Sequence, residues 1–285
     1  METAEQLVAR GAHRLTRPGI EHPRREASLL LAYLLGLSEA SLLARDRAAV
    51  DPDTIWRFDE LVRRRASGEP AAYLLGAREF WGRSFRVDSR VLIPRPETEH
   101  LVELTLALDL PADACVADVG TGSGALAVTL AAERPRWRVL ATDISLGALA
   151  VAHANARRHG VATRVWPVAT DLLAGIDFSR IDAVVSNPPY VAPAEREDLQ
   201  AEVALHEPEL ALYASDDGLG IIERLLREAR ALRPGGWLAS EIGAGQRDAA
   251  VAAAQEIGGW ELADVRRDLA GRDRVVLWKR TAAAD

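Results

Sequence analysis

The chain has 285 residues, 48% hydrophobic and 27% charged, an ordinary globular balance with room for one large or two modest domains. No run of 18 or more apolar residues occurs, so no membrane-spanning helix is expected. The formal net charge of −7 falls entirely beyond residue 80, since acidic and basic residues balance before it, which disfavours a protein that grips long duplex DNA.

The start, Met1-Glu2-Thr3-Ala4-Glu5-Gln6, is acidic and polar, without the basic and apolar regions of a signal peptide. One cysteine, Cys115, gives no internal disulfide and no cysteine-cluster metal site, and the cytoplasm is the expected location. Apolar residues recur at helical spacing over 4–15 and 24–37, and Asp51 or Asp53 can cap a third helix ending near Arg65. The run Arg63-Arg64-Arg65 reads as a solvated helix end, with a partner-binding patch as the alternative. Ser67-Gly68-Glu69-Pro70 breaks the helical region. Residues 80–87 read as a hairpin or extended connector, and Ile93-Pro94-Arg95-Pro96-Glu97-Thr98-Glu99 as a proline-stiffened turn entering a helix.

From about residue 112 strands alternate with helices. Strands are expected at 115–119, 138–142, 164–168, 181–186 and 236–241, which implies a parallel sheet covered on both faces. Residues 261–265 and 274–278 are joined by Asp268-Leu269-Ala270-Gly271-Arg272, too short for a helix, and read as an antiparallel hairpin at the sheet edge. The expected fold is α/β, a mostly parallel Rossmann-like sheet with an antiparallel C-terminal hairpin and a small all-helical N-terminal domain. The expected divisions are 1–77, a connector at 78–100, and 101–285. The tail Ala282-Ala283-Ala284 is expected to fray.

Between the first strand and the next helix lies Asp118-Val119-Gly120-Thr121-Gly122-Ser123-Gly124-Ala125. Its glycines allow a tight turn and close approach to a ligand, and Gly120, Gly122 and Ala125 also satisfy a dinucleotide-binding fingerprint. Asp118 would repel a pyrophosphate and welcome an ammonium. Asp143 ends the second strand at the distance expected of a ribose-binding carboxylate, with a helix cap as the alternative. Asp171, near the end of the third, could accept from an adenine amino group.

The fourth strand runs into Asn187-Pro188-Pro189-Tyr190. Two prolines end the ladder and stiffen the turn. The Asn187 side-chain carbonyl and the following backbone carbonyl are two acceptors for a planar –NH2 group, and Tyr190 offers a ring face for packing. A proline-stiffened loop with a buried tyrosine is the plainer alternative. An ammonium, a ribose and an adenine without phosphate together describe S-adenosyl-L-methionine. None of the six histidines has metal-ligand spacing, and no metal is expected.

These motifs, with Pro70-Ala71-Ala72-Tyr73-Leu74-Leu75-Gly76, Phe80-Trp81-Gly82, Glu207-Pro208 and the 268–274 segment, resemble the peptide chain release factor glutamine methyltransferases over nearly the whole length. The resemblance implies a class I methyltransferase that methylates the glutamine of a Gly-Gly-Gln tripeptide, leaving S-adenosyl-L-homocysteine. It implies catalytic roles for Asn187, Pro188 and Tyr190, and substrate contacts from these with Pro189, Arg95, Glu99 and Glu207. Cofactor contacts are implied for Asp118, Gly120, Thr121, Gly122, Ser123, Gly124, Asp143, Ile144, Asp171, Leu172 and Asn187. The helical domain would recognise the release factor, and stable nucleic-acid binding is not expected. The family often carries aromatics where this chain has Leu172 and His206. The Asn-Pro-Pro-Tyr turn is shared with amino methyltransferases acting on adenine or guanine in RNA or DNA. Such an enzyme needs a flipped or single-stranded base and a basic approach surface, which the acidic catalytic part disfavours.

Overall fold

The computed structural model describes all residues except 1, 18, 215–217 and 283–285, so most of the alanine tail lies outside the described residues. The chain divides into two compact units, Met1–Ala77 with Asp198–His206, and Arg78–Glu197 with Glu207–Asp285.

The first unit is helical: α1 (Ala4–Leu15), α2 (Pro23–Leu35), α3 (Glu39–Leu43), α4 (Pro52–Ala66) and α5 (Ala71–Leu75). Thr3 and Gln6 form a reciprocal capping box at the start of α1. Of the two candidate caps for α4, Asp51 is used, accepting from the Thr54 N–H at 3.0 Å. Leu7, Leu15, Leu30, Leu31, Phe58 and Val62 are buried together, each worth about 1.5–3 kcal/mol of transfer free energy. The arginine run at the end of α4 is only partly a solvated end. Arg63 pairs with Glu60 and Arg64 with Glu69, but Arg65 is buried and held between Glu26 and Glu202. Glu202 belongs to the segment that returns from the middle of the chain to join this unit, a contribution that no local pattern signals.

The second unit starts with a two-stranded sheet, β1 (Ala77–Phe80) and β2 (Arg83–Arg86). Trp81 and Gly82 between them both have positive φ, as a tight type I′ hairpin loop requires. The chain then forms α6 (Glu99–Ala107), β3 (Cys115–Val119), α7 (Ala125–Glu133), β4 (Arg138–Asp143), α8 (Leu146–Arg158), β5 (Val165–Ala169) and β6 (Ala183–Ser186). Next come α9 (Ala201–His206, part of the helical unit), α10 (Gly220–Glu228), β7 (Trp237–Glu241), α11 (Arg247–Ile257), β8 (Trp260–Arg267) and β9 (Asp273–Arg280).

The seven-stranded sheet has the order β5-β4-β3-β6-β7-β9-β8, with β3 to β7 parallel and β9 antiparallel to both β7 and β8. The parallel strands are apolar runs because both faces are covered. Val116, Ala183 and Val185 enter one core, while Ala117, Val119 and Val184 enter the other, following the alternation of a strand. Pro167 is tolerated because β5 is an edge strand. The Asp268 carboxylate closes the β8–β9 turn by accepting from the Ala270 and Arg272 N–H groups, each at 2.9 Å. Among the described residues no helix is long and apolar enough to cross a membrane.

Candidate active site

β3 ends at Val119, and the loop beyond it turns through Gly120, Gly122 and Gly124, with φ of 71°, 55° and 78°. These left-handed conformations suit glycine and strain other residues. The Thr142 carbonyl at the end of β4 accepts from both the Gly120 and Thr121 N–H groups at 2.9 Å. Gly124 also allows close packing, since a Cβ there would lie 3.0 Å from Cα and Cβ of Ala152 on α8. Ser123 is buried in the loop, and its carbonyl accepts from Asn155 Nδ2 at 2.8 Å. The same Asn155 amide exchanges two hydrogen bonds with the Arg86 backbone, so one buried side chain ties β2 to the glycine loop.

Asp118 is placed differently from the sequence expectation. It is fully buried and does not line the cavity that the loop borders. Its Oδ2 accepts from Thr121 Oγ1 at 2.6 Å and from the Ala127 N–H at 3.1 Å. Burial pushes its carboxyl up to about 7, the two hydrogen bonds pulling back and nearby Asp143 adding to the rise. Asp118 therefore shapes the loop from beneath and does not reach the cavity with its side chain.

The cavity, about 350 Å³, lies beyond the carboxyl ends of β3, β4, β5 and β6, where the strand order reverses on either side of β3. Open α/β sheets bind ligands at such a switch point, and the volume lies within the range of small-molecule sites. Gly120 and Gly122 line it, and a Cβ on Gly120 would meet no protein atom within 4 Å. That open space lets bare backbone approach a ligand.

Asp143 accepts from the Gly122 N–H through Oδ2 at 2.9 Å and from the Ser145 N–H through Oδ1 at 2.8 Å. Ser145, rather than Asp143, caps α8. Each Asp143 oxygen retains acceptor capacity for a hydroxyl. Ile144, 61% exposed, and Leu172 supply apolar lining. Leu172 has φ of 50°, a conformation costing about 1–3 kcal/mol in a non-glycine residue and concentrated at functional sites. Asp171 also reaches the cavity, but its carboxylate pairs with Arg224 at 2.8 Å, so its acceptor capacity is shared.

Asn187 follows the last residue of β6 and faces the cavity with Pro189, while Pro188 is buried. Its Nδ2 donates to Thr98 Oγ1 at 3.0 Å, leaving the carbonyl oxygen as the half of the amide able to accept from a ligand. Thr98 donates to Glu241 Oε2 at 2.7 Å. Tyr190, expected to offer a ring face for packing, is half-buried. Tyr190 is absent from the lining, and its hydroxyl turns inward to Glu241 Oε1 at 3.4 Å. Gln246 Nε2 donates to the Tyr190 backbone carbonyl at 3.0 Å and so braces the turn from behind.

Two other expected substrate contacts are also engaged internally. Glu207 is buried, pairing with Arg95 at 2.6 Å and accepting from the Ile93 N–H at 3.2 Å. Glu99 accepts from the Trp81 N–H at 2.8 Å and steadies the strained hairpin loop. Arg95 does line the cavity. Thr98, Asn155, Glu241 and Gln246 were not singled out from sequence. The one signal was a carboxylate, Glu241, ending a mainly apolar strand.

Residues 6–76 match the family model described as the PrmC N-terminal domain, and residues 98–233 the methyltransferase small domain. A release factor glutamine methyltransferase of Moorella thermoacetica is 44% identical over 96% of this chain and 98% of its own length. One from Cereibacter sphaeroides is 43% identical over 99% of this chain and 100% of its own. The fold is shared with a methyltransferase from Pyrococcus furiosus, at a TM-score of 0.53 and 16% identity over 77% of this chain and 98% of that one. It is also shared with the hMettl16 catalytic domain, at 0.58 and 17% over 79% and 84%. The chain belongs to the release factor glutamine methyltransferase family.

Proposed function

We propose that this chain transfers a methyl group from S-adenosyl-L-methionine to the side-chain amide nitrogen of the Gly-Gly-Gln glutamine in peptide chain release factors. The observation that carries the reading is the Asn187 amide at the rim of the cavity, with its –NH2 committed to Thr98. An acceptor left there suits a substrate that has two N–H groups to give.

Gly120 and Gly122 would cradle the methyl donor through their backbone, Asp143 would take its ribose hydroxyls, and Ile144 and Leu172 would flank the adenine. Bound there, it supplies an electrophilic sulfonium methyl. The work of the protein is to ready the other reactant. A glutamine amide nitrogen is a poor nucleophile because its lone pair is delocalised into the carbonyl. The Asn187 carbonyl and the Pro188 backbone carbonyl would accept its two hydrogens and hold it in line. Such orientation can supply several kcal/mol of a barrier, and acceptors aimed at charge growing on nitrogen add a preorganised electrostatic contribution. The proton leaves after transfer, so no strong base is needed beforehand. The helical unit would recognise the release factor, an assignment resting on family analogy. The protein would act in the cytoplasm, without stable binding to nucleic acid.

The test is transfer of a labelled methyl group to purified release factor, to its Gln→Ala variant in the tripeptide, and to total RNA. Label on the wild-type factor alone supports the reading. Label on RNA alone moves the chain to the base-methylating branch. Asn187→Ala should lose transfer while the methyl donor still raises the melting temperature.

A further inference from the structure

We propose that Thr98 and Glu241 are positioning residues that fix which half of the Asn187 amide faces the cavity. The inference rests on the role proposed above for Asn187.

Hydrogen-bond polarity sets the direction of the Asn187 amide. A carboxylate only accepts, so Thr98 must give its single hydroxyl hydrogen to Glu241 Oε2, 2.7 Å away. Thr98 Oγ1 then has only lone pairs for Asn187, at 3.0 Å. The half of the amide that meets it must be the –NH2, and the carbonyl is turned the other way. The opposite rotamer would set the Asn187 carbonyl against oxygen lone pairs. The second Glu241 oxygen receives the Tyr190 hydroxyl at 3.4 Å, so the carboxylate also anchors the far end of the same turn. Thr98 is 5% and Glu241 1% exposed, so little water is available to substitute for either bond.

The device has a protonation dependence. Glu241 is faced by Thr98 and Glu97 from the turn before α6, by Tyr190, and by Arg274 on β9. Burial is the largest influence and pushes its carboxyl up to about 7, with Thr98, Arg274 and Tyr190 pulling it down and Glu97 adding to the rise. Above that pH the carboxylate dictates the polarity. Below it, a protonated Glu241 can donate to Thr98, whose hydrogen is freed for the Asn187 carbonyl. The amide can then turn over and present the wrong half. Turnover should fall as pH drops below about 7, with affinity for the methyl donor unchanged.

The experiment measures kcat on a release factor and the affinity for S-adenosyl-L-methionine, from pH 5.5 to 8.5, in full-length variants. Thr98→Val keeps the shape and removes the hydroxyl. It should lower kcat roughly tenfold or more, comparable to losing one preorganised group at a reacting centre, and leave donor affinity within about twofold. Thr98→Ser should recover most of the loss. Glu241→Gln should abolish the fall in kcat below about pH 7. Unchanged kcat in Thr98→Val beside an inactive Asn187→Ala overturns the relay alone. Loss of donor affinity in parallel with kcat, or no recovery in Thr98→Ser, overturns it too, because the defect is then general. Full activity in Asn187→Ala overturns the proposed function together with the relay. Should Thr98→Val not fold, a persistent acid limb in Glu241→Gln is sufficient to overturn the relay.

Discussion

Asn155 should be among the most costly polar residues of the catalytic unit to remove, although it does not line the cavity. Its side chain is fully buried and makes three hydrogen bonds, accepting from the Arg86 N–H at 2.8 Å and donating to the carbonyls of Arg86 at 3.0 Å and Ser123 at 2.8 Å. Asn155→Ala strips one backbone donor and two backbone acceptors of their partner. Each orphaned group costs about 1–3 kcal/mol, reduced where water enters the vacated space, for a net loss of about 3 kcal/mol. A unit of roughly 200 residues shifts by about 2–4 °C per kcal/mol, so its transition should fall by about 6–12 °C in calorimetry. The methyl donor should bind more weakly as well, because Ser123 belongs to the glycine loop. Asn155→Asp is the sharper control. It keeps the size and the Arg86 N–H bond but sets acceptor oxygens against two carbonyls. Its loss should match or exceed that of Asn155→Ala at pH 8 and shrink at pH 5, where a protonated carboxyl can donate to one of them. A shift below 2 °C in Asn155→Ala, or an Asn155→Asp variant as stable as wild type at pH 8, would refute the bracing role.

Gly124→Ala should cost about 2–4 kcal/mol, combining a left-handed φ of 78° with a Cβ 3.0 Å from Ala152, and thermal unfolding would register it. Asp118 titrates near 7 when folded, against 3.8 in the unfolded chain. The native state therefore keeps a proton that the unfolded state has released between about pH 4 and 7, and stability falls as pH rises through that window. Asp118→Asn should reduce the fall between pH 5 and 8 by about 2–3 kcal/mol, as read from urea unfolding curves at the two pH values. In the helical unit, Arg65→Met strands Glu26 and Glu202 and should cost about 2–3 kcal/mol, less than a fully buried pair because both acids keep some contact with water. A shift too small to detect in that unit's transition would show that packing of the arginine stem, rather than its charge, holds the site.

The frame of the protein was open to sequence reasoning because it rests on local signals. Helical spacing and the glycine loop place α1 and the start of α7, and continuous apolar runs place the parallel strands. The segment 268–272, too short for a helix, places the edge hairpin. The place of Asn187 at the end of a strand was legible because two prolines stop the ladder there. Side-chain direction was not legible. Asp118 and Tyr190 belong to motifs expected at the ligand, but the fold turns the Asp118 carboxylate under the loop and the Tyr190 hydroxyl toward Glu241. Glu99 and Glu207 carry suggestive motifs, yet they brace a hairpin and an arginine.

These corrections share a cause. A residue that touches a ligand and a residue that holds such a residue still are drawn from the same polar types and occur within the same motifs. What distinguishes them is the hydrogen-bond accounting of buried groups, which depends on partners far apart in sequence. Thr98 meets Glu241 across 143 positions, and Ile93 meets Glu207 across 114. In water, neither contact would contribute much. Buried, each must be completed, because an unpaired polar group there costs more than the bond returns. The segment around Thr98 thus joins two requirements that the sequence presents as one motif. Arg95 and Thr98 both reach the cavity, Thr98 also holding Asn187, while Glu99 fixes the Trp81 turn. A substitution at Arg95 should therefore affect substrate use, whereas one at Glu99 should first loosen the Trp81 turn.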